Sequence, residues 1–283
     1  MEYISQFVEY LKERNLSPNT IKVCNNNLVE FWNFLGRRKR SIRKVERKEI
    51  KAFLFTLSEK NNQPITRRAK LITLRSFYKY LEDESLIKNN PTKNLPLPKV
   101  ASKEPAFLQE CEIRKILQTF KKGKDPRAEV AIRILVETGF RLAELTNLSV
   151  GDIDTKQKTV RVTRKGNIEQ IVPINSGLAR LIKSFVKGKN TQAPIIANRV
   201  GERMTQRRVA IMVQDYLKKA KVHRAGISAH SFRHSFCVRM LQKKVNLKAI
   251  QLLCGHRSIS TTERYLHINS LELRKGVAMA EIV

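Results

Sequence analysis

Tyr265 closes a stretch that begins Gly255, His256, Arg257, Ser258. Upstream lie His230, Ser231, Phe232 and Arg233, and before them Thr138, Gly139, Phe140, Arg141, Leu142, Ala143 and Glu144. Two arginines and two histidines in alternation, followed by a tyrosine, within a very basic chain, point to attack of a phenol on a DNA phosphodiester. Charge spreading over the phosphate oxygens in the transition state needs fixed cations or donors where no metal supplies them. Arginine suits this best, because its planar fork meets two phosphate oxygens at once. The product, a phosphotyrosine ester, keeps the bond energy, so the strand can be rejoined without ATP. That favours strand exchange over hydrolysis.

Each residue also has a plainer reading. An isolated arginine is usually a surface residue, and a lone tyrosine usually packs in a core. Arg233 follows His230 by three positions, which puts both on one face of a helix or turn. Arg141 follows a Thr-Gly turn and precedes a helix start. Lys165 sits at the tip of an expected hairpin, where it is either solvated or able to protonate a leaving oxygen. His230 and His256 can act in acid–base chemistry or as phosphate donors, since imidazole titrates near neutrality. His230 and His234 have a spacing used for metals, but no HExxH pattern and no carboxylate or cysteine cluster accompanies them, so no zinc site is expected there. The other tyrosines (Tyr3, Tyr10, Tyr78, Tyr80 and Tyr216) lie in helical patterns and read as structural.

The whole chain must hold these residues against strong self-repulsion. Its 283 residues carry a formal charge of +31, spread along the sequence and not held in a tail. An anionic polymer is the natural partner, because each neutralised phosphate releases counterions. A non-specific basic protein, ribosomal for example, is the other reading of charge alone. Hydrophobic residues make up 41%, enough for cores in one large or two ordinary domains. Four scattered cysteines (Cys24, Cys111, Cys237, Cys254) show no CxxC spacing and fit a reducing cytoplasm. No apolar run approaches the ~20 residues that span a bilayer. The N-terminus enters an amphipathic pattern at once, so no leader is expected.

The periodicity predicts helices over 2–14, from Ser17-Pro18 to Gly36, and near 46–60 and 64–82. A basic loop, Arg37, Arg38, Lys39 and Arg40, and a helix face with Arg67, Arg68, Lys70 and Arg75 are candidates for tracking a DNA backbone. Prolines at 91, 96, 98 and 105 then forbid a helix, which places a linker over 89–104. The expected division is a helical domain over 1–88, the linker, a second domain over 105–270 and a C-terminal segment over 271–283. In the second domain a helix runs to about 120 and another starts at Asp125-Pro126. Two β-branched stretches, 158–163 and 168–174, flank Lys165-Gly166-Asn167 and predict a hairpin. Helical pattern resumes at 177 and dominates to the end. The fold class is therefore mainly α with a small β-sheet.

The boxes around Arg141, Lys165, His230 with Arg233, and His256 with Tyr265 resemble those of the tyrosine recombinases, the integrase and Xer type of site-specific DNA recombinase. The resemblance covers residues 105–270 closely, and the N-terminal helices fit the family's core-binding domain. It implies a C-shaped clamp on double-stranded DNA at a specific site, a 3′-phosphotyrosine intermediate, and four protomers pairing two sites through a Holliday junction. It implies that Arg141, His230, Arg233 and His256 hold the phosphate, that Lys165 protonates the leaving 5′-oxygen, and that Tyr265 attacks. Glu144 would orient Arg141. The C-terminal segment would dock on a neighbouring protomer or on its own domain. An Xer-like role in resolving chromosome dimers and a mobile-element integrase or resolvase both fit. A type IB topoisomerase-like enzyme and a non-catalytic DNA-binding module are the remaining alternatives. The hairpin departs from the family's GKGxKxR: the stretch from Arg164 through Lys165, Gly166, Asn167, Ile168 and Glu169 to Gln170 lacks the later basic residues.

Overall fold

The computed structural model describes residues 1–38, 41–101, 105–120, 125–164, 166–255 and 258–263. The chain divides into two compact units, Met1–Lys103 and Glu104–Val283.

Among the described residues the first unit has four α-helices: α1 (Glu2–Glu13), α2 (Pro18–Arg37), α3 (Arg47–Glu59) and α4 (Pro64–Asp83). Ser17 begins α2 by accepting the Thr20 amide at 3.2 Å, with Pro18 in the first turn, where its missing N–H costs nothing. The apolar stripes meet in an aromatic core. Phe7 packs edge-on to Phe77, Phe31 edge-on to Phe53, and the buried Tyr78 hydroxyl donates to the Ile42 carbonyl at 3.1 Å.

Two of the four basic residues expected on a free face of α4 are spent inside this unit. Lys70 is buried and pairs with Glu30 at 2.5 Å, and the Arg75 guanidinium donates to the Leu95 carbonyl. Position 70 belongs to the apolar stripe of α4, so its lysine stem is drawn into the core. Arg68 is exposed. Arg38 lies over the Phe34 ring at 4.7 Å. Nor is the proline-containing segment wholly a spacer. Leu95 is buried in the first core, Leu97 packs against it, and Arg47 donates to the Asn94 carbonyl at 3.3 Å.

The second unit contains α5 (Glu110–Gln118), α6 (Pro126–Thr138), α7 (Leu142–Asn147), a three-stranded antiparallel sheet, α8 (Ser176–Val186), α9 (Gln206–Lys219), α10 (Ala229–Gln242), α11 (Leu247–Cys254) and α12 (Ser260–Glu263). The expected hairpin is β2 (Thr159–Arg164) and β3 (Ile168–Pro173), in register from Thr159 opposite Pro173 to Arg164 opposite Ile168. Gly166 (φ +92°) and Asn167 (φ +58°) supply the left-handed backbone of the turn. β1 (Ile153–Asp154) adds a short edge that alternation over two residues cannot reveal. The helical pattern expected from 177 onward is broken between α8 and α9 by a stretch that holds Gly188, Asn190, Pro194, Asn198 and Gly201, with bridges Ser149–Pro194 and Ala197–Arg203. The core of this unit gathers α5–α9, the sheet and Phe232 of α10.

No helix among the described residues is long and apolar enough to cross a membrane. Replacing Phe7 by alanine should weaken the first unit by about 3–5 kcal/mol, because no ordinary relaxation refills the space of a buried ring. Urea unfolding followed by the single tryptophan, Trp32, which packs against the same core, measures it.

Candidate active site

The end of α6 is shaped by Gly139, left-handed at φ +65°. A Cβ there would lie 2.7 Å from the Phe236 ring, so only glycine lets α10 come this close. Thr138 closes the turn, its hydroxyl donating to the Ile134 carbonyl at 2.7 Å and accepting the Phe140 amide at 3.2 Å. Arg141 then occupies the N-cap of α7. Glu144, one turn on, takes the Arg141 amide with one oxygen (2.8 Å) and its guanidinium with the other (2.7 Å). Negative charge at that helix start is also favoured by the helix dipole.

α10 begins at Ser228, whose hydroxyl accepts the His230 amide at 3.3 Å. The helix is buried on nearly every side, with Ser231, Phe232, Arg233, Ser235, Phe236 and Cys237 all inside. Ser235 accepts the Leu108 amide at 2.7 Å and donates to the Ser231 carbonyl at 2.7 Å, which ties α10 to the strand-like entry of the unit. Arg233 is 2% exposed. It donates to the Gly139 carbonyl at 2.9 Å and to the Cys254 carbonyl. His230, one turn earlier on the same helix, stacks edge-on with His234 at 4.7 Å.

These side chains converge on the C-terminal end of α11. The last carbonyls of a helix have no partner within it and carry the negative end of the dipole. Here Gln170 donates to Leu252 (2.9 Å), Arg164 to Leu253 (2.7 Å) and Cys254 (3.2 Å), Arg233 to Cys254, and Arg141 to Gly255 (3.3 Å). Gly255 ends the helix at φ +61°, and a Cβ on it would sit 2.8 Å from Arg164 Nε. Of the six candidates, Arg141, His230 and Arg233 are thus brought together. Lys165, His256 and Tyr265 lie outside the described residues, as does the segment 271–283.

Sequence reasoning missed Arg164. Its guanidinium, 5% exposed, bonds the second oxygen of Glu144 at 2.8 Å and lies 5.2 Å over the Phe140 ring. The signal was present. Val160, Val162 and Arg164 are the inward file of β2, so a charge at 164 had to be buried. Gln170, where the family pattern has a basic residue, accepts Arg164 Nε at 3.1 Å.

Arg141 and Arg164 share the Glu144 carboxylate, and Arg233 adds a third guanidinium held by carbonyls alone, so the cluster is a cationic hole. The titrations follow from that. Burial alone would raise Glu144, but Arg164, the Arg141 amide and the Arg141 guanidinium outweigh it and hold the carboxyl below its ordinary value. Desolvation, with the charges of Arg233 and Arg141, pulls His230 below its ordinary value, although the residue lies exposed at the rim of the cluster. Burial and then Arg141 lower Arg233, against the opposite pull of Cys254 and Glu144. Cys237 and Cys254 touch sulfur to sulfur at 3.4 Å beneath the cluster. Among the described residues no group of three or more His, Cys, Asp or Glu is placed to hold a metal.

Residues 106–272 match the model of the phage integrase family, and residues 4–85 match the phage integrase N-terminal SAM-like domain. The chain belongs to the phage integrase family, the tyrosine recombinases. It is 33% identical to tyrosine recombinase XerC of Oceanobacillus iheyensis over 97% of this chain and 94% of that one. It is 32% identical to tyrosine recombinase XerD of Rickettsia bellii, over 98% and 97% respectively. In fold it is similar to the XerH site-specific recombinase solved on its difH substrate after cleavage (TM-score 0.77, 22% identity, 99% of this chain and 84% of that one). It is also similar to a lambda integrase dimer on a core site (TM-score 0.74, 18% identity, 92% and 96%).

Glu144 gives a test of the cluster. Its folded pKa is depressed, so the stability it contributes is complete above the unfolded value of about 4.3 and is lost as pH falls through the folded one. Glu144→Gln strands Arg164 and should cost about 3–5 kcal/mol at pH 7. The difference from the unaltered chain should shrink as pH falls below about 4.3, as seen by denaturant unfolding across pH.

Proposed function

We propose that this recombinase cuts and rejoins double-stranded DNA at a specific site by an Xer-like reaction, through a 3′-phosphotyrosine intermediate and a Holliday junction. The observation that carries the reading is the convergence of Arg141 and Arg233 on the last carbonyls of α11, immediately before His256 in the chain. Guanidiniums pinned by carbonyls keep their remaining N–H groups in fixed directions, which is what a phosphate in its transition state requires. Arg141, Arg233, His230 and His256 would hold the scissile phosphate. Tyr265 would attack phosphorus as its phenol proton passes to an imidazole of the site, and would release the 5′-oxygen, to which Lys165 would give a proton. When the free 5′-hydroxyl of a partner strand attacks the ester, the same groups run in reverse and Tyr265 is regenerated. No cofactor enters this scheme.

In this reading residues 1–88, within the first unit, are the core-binding domain and 105–270 the catalytic domain. Together they close as a clamp around the duplex in the cytoplasm. Four protomers pair two sites, and residues 271–283 dock between neighbours. A role in resolving chromosome dimers fits the Xer relatives. The departures at Ile168 and Gln170, and similarity to a transposon integrase solved with its circular intermediate DNA (TM-score 0.73, 21% identity), favour a mobile element as the second reading.

The test begins with host genomic DNA. A reaction stopped with denaturant should leave protein on DNA 3′ ends, and sequencing the attached fragments should give one motif. On a nicked duplex carrying that motif, Tyr265→Phe should form no covalent complex yet shift the DNA in a native gel as the unaltered chain does. Undiminished covalent complex with Tyr265→Phe would exclude Tyr265 as the nucleophile.

A further inference from the structure

We propose that Arg164 is a positioning residue for strand cleavage, an inference that rests on the cleavage reading above. Arg164 is too deeply enclosed, at 7% exposure, to reach a phosphate itself. Its hydrogen bonds run instead to the parts that aim the other cations. Nη1 meets Glu144 Oε2 and the Cys254 carbonyl, Nη2 meets the Leu253 carbonyl, and Nε meets Gln170.

Two effects follow. Glu144 is divided between two guanidiniums, one oxygen for Arg141 and one for Arg164. Without Arg164 the whole carboxylate would be left to Arg141 and would draw its remaining N–H groups inward, away from a substrate. The last turn of α11 would also lose the donor that spans two of its carbonyls. That turn supplies acceptors to Arg141 and Arg233 and leads directly to His256. Stability alone does not account for a buried guanidinium here. An apolar residue would continue the inward file of Val160 and Val162, and burying a charge that shares its only carboxylate is at best neutral.

The position of Gln170 gives the inference a sharp form. Positions 164 and 170 lie on the same inward face of neighbouring strands, and the Gln170 side chain already reaches Leu252 and Arg164. A guanidinium entering from residue 170 would therefore serve the same carbonyls and the same carboxylate. Arg164→Gln should be defective, and the transposed Arg164→Gln/Gln170→Arg should recover.

The measurement is single-turnover formation of the covalent complex at saturating protein on the nicked duplex, beside the dissociation constant from a native gel. Arg164→Gln should bind within about threefold of the unaltered chain but cleave about 10- to 100-fold more slowly, as expected for misplacement near 1 Å. The transposed variant should regain most of the rate. If Arg164→Gln proves unfolded by thermal melting, Arg164→Lys replaces it. A lysine keeps the charge but cannot span two carbonyls and Glu144 together, so slow cleavage with retained binding is again expected. Full-speed cleavage by the folded variant, loss of binding in proportion to cleavage, or a transposed variant as slow as the single one would overturn the proposal. Failure of the unaltered chain to attach to DNA would sink the cleavage reading beneath it, a result distinguishable from all of these.

Discussion

The second unit is organised around one unbalanced piece of electrostatics. Three guanidiniums crowd the carbonyl end of α11, and among the described residues a single carboxylate, Glu144, answers them. Arginines repel, and bringing them into an enclosed site is costly unless every N–H finds an acceptor. The helix end solves this, because its orphan carbonyls and negative pole offer several acceptors within one turn. It neutralises only part of the charge. What is left over is a hole of fixed shape that favours an anion, and this residual charge is the property on which the chemistry draws.

Much of the surrounding structure makes that crowding possible. Gly139 and Gly255 turn two helix ends where a side chain would collide, one with Phe236 and one with Arg164. Ser228, Ser231 and Ser235 fix the start and the depth of α10, so that Arg233 enters from below while His230 stays at the rim. The hairpin brings Arg164 and Gln170 in from the third side. Each of the three approaches comes from a different part of the sequence, which explains why the unit must be folded before the site exists at all.

The legible part of the sequence was what depends on short range. The four N-terminal helices, the Ser17-Pro18 start and the β2–β3 hairpin follow from period, cap and turn chemistry, and the structure has them. The order of Arg141, His230 and Arg233 in recognisable boxes was legible too. Their meeting point was not, since nothing in the letters of α11 announces that its carbonyls are shared. Arg164 was read as part of a departure from a pattern, although its place in the inward file of β2 marked it as buried. Lys70 and Arg75 were read as surface cations. Their stems lie on the buried side of α4, and only the placement of Glu30 and Leu95 decides where their charges go. The break between α8 and α9 was lost in part because one of its bridges pairs Pro194 with Ser149, far back in the chain.

Docking of Leu95 and Leu97 onto the first core has a consequence for avidity. Between Leu97 and Ala106, which packs on the second core, the tether is only about eight residues, able to span at most roughly 30 Å. So short a leash holds the second unit at a local concentration on the order of millimolar beside anything the first one grips. Neither unit then needs a strong grip of its own, and a pair of individually weak, quickly released contacts can add up to a durable hold.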